Sequence, residues 1–85
     1  GAVGGVAAVL VDMRWLLRPA IARLASSIML CHSQPAGTVS PSAEDRALTR
    51  RAASAAELID VRLLDHVIIT PDFEKYYSFA DHGEL

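Results

Sequence analysis

His32-Ser33-Gln34-Pro35-Ala36-Gly37-Thr38-Val39-Ser40-Pro41-Ser42-Ala43-Glu44-Asp45 is the stretch that decides how this chain is read. Pro35, Gly37 and Pro41 rule out regular structure up to Pro41, so that part is a loop. Ser42-x-x-Asp45 has the form of a capping box, in which a hydroxyl caps a helix and an acid three residues later caps it in return. Just upstream, Ile28-Met29-Leu30-Cys31 is a compact apolar run of strand character. The local plan is therefore strand, loop, helix. It carries His32 to the end of the strand and sets Asp45 in the first turn of the helix.

The rest of the chain extends that plan in both directions. Downstream, Leu48, Ala52, Ala55 and Ile59 form a helical apolar stripe that ends near Asp60. Val61 to Thr70 follows as a strand, with Val67-Ile68-Ile69 as its strongest part. Pro71-Asp72 marks a turn, Tyr76 to Phe79 a short last strand, and Asp81-His82-Gly83 a terminal turn. Upstream, Val6 to Val11 is an apolar run of the kind covered on both faces of a sheet. Asp12 is placed to cap a helix from Met13 to about Ala25, with Leu16, Leu17, Ala20, Ile21 and Leu24 as its apolar face. Pro19 predicts a kink there, or a main helix starting near Arg18. The expected fold class is α/β, a mixed sheet flanked by helices.

Composition sets the outer limits. The chain has 85 residues, enough for one domain, and its apolar fraction of 52% argues against disorder. A net charge of −2 gives no long-range pull on nucleic acid. Arg46, Arg50 and Arg51 then read as a solvated helix surface. The opening apolar stretch is about half the roughly 20 residues a membrane span needs. The single cysteine, Cys31, excludes an internal disulfide and fits a reducing, cytoplasmic setting. On an apolar strand it is expected as a small buried hydrophobe.

The loop and helix start resemble the metal signature of the JAB/MPN (JAMM) metalloprotease family, and more narrowly its RadC-like branch. That signature reads H-x-H-P-x-G-x-x-x-P-S-x-x-D, and His32, Pro35, Gly37, Pro41, Ser42 and Asp45 match it. Val11-Asp12-x-Arg14, Pro19-Ala20, Leu63 to Thr70 and Tyr76 to Gly83 extend the similarity over nearly the whole chain. The resemblance implies a single domain over 1–85 with a partial JAB/MPN, cytidine-deaminase-like fold. It implies a zinc-dependent hydrolase of peptide or isopeptide bonds, with His32 and Asp45 as zinc ligands and Ser42 as oxyanion helper. The zinc would make a bound hydroxide available near neutral pH, and an upstream Glu would act as general base.

Two departures stand against that activity. Gln34 occupies the second histidine position, and a glutamine oxygen is a poor ligand for zinc. No Glu precedes His32, and the resemblance implies a chain that starts inside the family's domain, lacking its upstream strands and helix. The expectation is a catalytically impaired member with weak or absent zinc binding. A working zinc metalloprotease is the alternative, and a DNA-repair-associated accessory role, suggested by the branch name, the second. Each residue also has a plain structural role: Ser42 and Asp45 as the capping box, Gln34 as a loop amide, His32 as a strand-end histidine. Asp65 and His66 are adjacent on a strand, so their side chains point to opposite faces and form no dyad. The expected partners are a peptide or protein substrate and a second copy, with a homodimer covering an exposed sheet edge.

Overall fold

The structure is a computed structural model that describes residues 11–35 and 37–85. Its elements are α1 (Met13–Ala22), β1 (Ser27–Ser33), α2 (Ala43–Leu58), β2 (Arg62–Ile69) and β3 (Tyr76–Ser78). The sheet order is β1-β2-β3, with β1 parallel to β2 and β2 antiparallel to β3. This is the α/β class with the mixed sheet that the sequence predicts. The expected strand from Val6 lies outside the described residues except for Val11, which is in no regular element.

Asp12 caps α1 as expected: its side chain accepts the Arg14 N–H at 2.8 Å. The Arg14 guanidinium on the same carboxylate lowers the Asp12 pKa to about 2. The helix starts at Met13 and runs through Pro19, so the alternative start near Arg18 is corrected. Pro19 and Trp15 both lie on the exposed side, so the bond that the proline cannot make is lost where water can replace it.

Both helices end in the same way. In α1 the Leu24 N–H donates to Ile21 and the Ala25 N–H to Ala20; in α2 the Asp60 N–H donates to Glu57 and the Val61 N–H to Ala56. This is the Schellman arrangement, which needs a left-handed residue just past the helix. Leu24 (φ 51°) and Asp60 (φ 63°) take that conformation. The residues tied by the longer bond also pack: Ala20, Ala56 and Val61 form the buried cluster with Leu17, and Ala25 lies against it. Chain reversal and core formation are thus one event at each helix end.

Four apolar residues expected to be buried are exposed. Ile21 is 54% exposed, since the buried side of α1 runs through Leu17 and Ala20, and Leu24, in the turn past the helix, is 89% exposed. Ile59 is exposed because α2 stops at Leu58 and its buried stripe runs Asp45, Leu48, Thr49, Ala52, Ala56. Cys31 is exposed, not buried. In β1 the half-buried residues are Ile28, Leu30 and His32, and α2 covers the sheet face they share with His66.

One irregularity decides which residues of β2 face that helix. Ile28 pairs with Leu63 but Met29 pairs with Asp65, so Leu64 is an extra residue in β2. Unbroken alternation from buried Leu63 would turn Asp65, Val67 and Ile69 inward. The bulge at Leu64 shifts the parity, and His66 and Ile68 are buried instead.

Leu24 is an exposed leucine in a left-handed conformation that costs an L-residue roughly 1–2 kcal/mol. Leu24→Gly removes that strain, partly offset by glycine's larger unfolded-state entropy. Chemical denaturation should show a gain of about 0.5–1 kcal/mol, against a loss for the same change at a buried position such as Leu17.

Candidate metal centre

The candidate site lies between the N-terminal half of α2 and the inward face of β1 and β2. Ser42 is the N-cap of α2, and the capping box closes in both directions. The Asp45 N–H donates to Ser42 Oγ at 3.0 Å, and the Ser42 N–H donates to Asp45 Oδ2 at 2.8 Å. Such a cap stabilises a helix by about 1 kcal/mol. Asp45 has one oxygen left, and Oδ1 faces His32 Nε2 at 3.6 Å. Ser42 Oγ is an acceptor in the cap, so its own proton is free to donate.

His32 and Asp45, far apart in the chain, are thus brought together as the sequence pattern implies. Asp45 is buried; His32 is half-buried and reachable from solvent. Gln34 follows the end of β1, where its backbone N–H donates to Ile69 O at 2.7 Å. Its side chain makes no hydrogen bond among the described residues. Gly37 has φ 83°, a left-handed turn position that suits a residue without a Cβ.

Sequence reasoning missed two residues, His66 and Thr49. His66 Nε2 lies 3.0 Å from His32 Nδ1, and His66 Nδ1 lies 2.6 Å from Thr49 Oγ1. Thr49 Oγ1 in turn donates to the Asp45 backbone carbonyl at 2.8 Å. Thr49 is one helical turn beyond Asp45, a spacing that could have flagged it. No comparable signal marked His66, since its side of β2 depends on the bulge at Leu64. Asp65 and His66 form no side-chain dyad, as expected. Asp65 instead accepts from Ser78 Oγ at 2.5 Å and from the Ala80 N–H at 2.9 Å. Burial pushes the Asp65 carboxyl up, but these donors and the His66 N–H outweigh it and leave its pKa lowered. Arg46, expected on a solvated surface, is half-buried and holds Glu84 Oε2 at 3.1 Å and Pro41 O at 3.2 Å.

The donors can be tested against zinc directly. A tetrahedral ion with bonds of about 2.0–2.1 Å spaces its ligands by about 3.3–3.4 Å. The 3.6 Å between His32 Nε2 and Asp45 Oδ1 is close to one edge of that tetrahedron. A third protein donor is needed, and the position that the sequence resemblance implies for it holds Gln34. Among the described residues, no group of three His, Cys, Asp or Glu side chains is placed to hold a metal ion. Among the described residues, two donors stand at a spacing that fits zinc and no third joins them.

His66 is 1% exposed and stacks on Phe79 with ring centroids 4.8 Å apart. Burial, followed by the neighbouring His32, lowers its pKa from 6.5 to about 4. An unfolded chain therefore takes up a proton here below about pH 6.5, while the folded chain resists until about pH 4. The stability from neutral His66 is complete above that window and falls as pH drops through it. The metal-stripped chain should lose on the order of 3 kcal/mol between neutral pH and pH 4. Denaturant melts should show this slope, and His66→Phe should flatten it.

Comparison with known proteins fits this geometry. The family described as RadC-like JAB domain matches residues 2–84. A UPF0758 protein of Porphyromonas gingivalis is 48% identical over 82 residues, 96% of this chain and 36% of that protein. Those of Flavobacterium johnsoniae and Rubrobacter xylanophilus are 41% and 43% identical over 94% and 98% of this chain, and 34% and 35% of their own lengths. This chain thus spans about a third of the relatives it matches. No helix among the described residues is long and apolar enough to cross a membrane. With the match running from end to end and the motif's His32, Ser42 and Asp45 gathered at one helix start, the chain belongs to the RadC-like JAB domain family.

Proposed function

We propose that this domain is a RadC-like JAB member with an impaired zinc centre, acting through its fold and its peptide- or protein-binding surface rather than by hydrolysis. The observation that carries the reading is the two-donor site: His32 Nε2 and Asp45 Oδ1 converge, and Gln34 stands at the third position. Losses outside the ligand shell already cost about 10–100-fold in metal affinity, so loss of a ligand costs at least as much. Ser42 and Asp45 cap α2 by themselves, and His66 and Thr49 satisfy one another. The exposed thiol of Cys31 suits a reducing, cytoplasmic setting.

A second reading is a working zinc hydrolase. It is favoured by the free proton of Ser42, which stands where the family stabilises an oxyanion. The whole protein's chemistry would then draw on more than this third of the family length.

Zinc titration of the metal-stripped chain beside Gln34→His separates the two. The expected result is about one zinc on Gln34→His and binding at least 10–100-fold weaker on the native chain. Tight native binding with chelator-sensitive peptidase turnover would establish the hydrolase and overturn the impaired reading.

A further inference from the structure

Phe73 combines two costly features. It is 79% exposed, and it holds a left-handed backbone (φ 60°) that a bulky L-residue rarely adopts. The turn between β2 and β3 imposes that conformation. The Phe73 N–H donates to Thr70 O at 2.9 Å. Asp72 Oδ1 accepts from Thr70 Oγ1 at 2.7 Å and from the Glu74 N–H at 3.0 Å. Thr70 is itself buried, so the turn is tied to the end of the sheet. Glycine would take this position without strain. The turn instead carries a phenyl ring into solvent, with Asp72 and Glu74 on either side of it in the chain. Lys75 follows, and the turn stays net negative. Strain of this kind is a pointer to a binding role.

The other end of β2 carries a counterpart. The two Schellman turns leave an open groove of about 450 Å³ between them. Ile21, Leu24 and Ala25 line one side of it, and Ile59, Asp60 and Val61 the other. Pockets of roughly 300–1,000 Å³ bury small organic groups, so the groove has room for a phenyl ring. Ile21, Leu24 and Ile59 are its exposed apolar walls. Three arginines stand around it: Arg18 three residues before Ile21, Arg23 beside Leu24 and Arg62 beside Val61. All three are exposed, and none is in an ion pair among the described residues. Asp60 is the one acid in the lining. The positive surplus complements the two carboxylates that flank Phe73.

The turn cannot fill the groove of its own chain. The eight residues of β2, Arg62–Ile69, run from one to the other and hold them about 25 Å apart. A second copy lying antiparallel to the first brings its own Phe73 to this groove and offers its own groove to this Phe73. We infer that two copies of the chain pair in this way, each seating Phe73 among Ile21, Leu24 and Ile59 of the other. Asp72 and Glu74 then face Arg18, Arg23 and Arg62 across the contact. The exchange is two-fold, so it closes at a pair and covers both aromatic rings. This surface is separate from the edge of β1 and from the His32–Asp45 pair, and the inference does not depend on the proposed function.

Sedimentation equilibrium of the 85-residue chain over micromolar to millimolar concentrations tests this, with reductant present so that Cys31 does not link copies. The expected result is a monomer–dimer equilibrium. Phe73→Gly and Leu24→Gly each replace a left-handed residue by glycine, so both should stay folded by circular dichroism. Both should weaken the dimer, Phe73→Gly by about 10–100-fold. Ile21→Glu, on the exposed side of α1, should block the groove without entering the core. An equimolar mixture of Phe73→Gly and Ile21→Glu chains still contains one intact ring and one intact groove. That mixture should associate more strongly than either variant alone. A native chain that stays monomeric throughout, a dimer indifferent to Phe73→Gly, or a mixture no stronger than its parts overturns the inference.

Discussion

One carboxylate oxygen of Asp45 closes the cap of α2 and the other faces His32. Its backbone carbonyl takes the hydroxyl of Thr49. A single buried residue thus starts the central helix, completes half of the candidate site and anchors the polar loop behind it. The cap of α2 therefore holds Asp45 in place without any metal. A buried carboxylate without partners would be costly, but Asp45 keeps its cap partner whatever stands at position 34.

The same economy appears at the helix ends. Leu24 and Asp60 accept a left-handed conformation because the turns they make bring Ala25 and Val61 back onto Ala20 and Ala56. The small residues at these points let α1 and α2 approach closely. The strain is local and modest; the packing that it permits forms the described core.

The proposed impairment turns on Gln34, which stands where the resembled signature has a histidine. Under the proposed reading, imidazole at position 34 would supply a third donor, whereas a carboxamide is a poor ligand for zinc. Around that gap the supporting groups remain in order: Ser42 caps, Thr49 and His66 are paired, and Phe79 stacks on His66. The second reading, a hydrolase, draws on this preserved surround; the first draws on the missing donor.

Local rules were enough for much of this protein. The capping box of Ser42 and Asp45, the cap at Asp12, the loop carrying Pro35 and Gly37, and the α/β order were legible because each depends on residues within a few positions of one another. The resemblance to the family signature implied that His32 and Asp45 share a site, and the fold brings them together. Tertiary structure alone decided His66. Its inward orientation depends on the one-residue bulge at Leu64, which is expressed only when β2 pairs with β1. A strand's alternation can be read from sequence, but its phase cannot when one extra residue reverses every side chain beyond it. The exposure of Cys31 has the same origin: which face of β1 is buried is settled by where α2 packs.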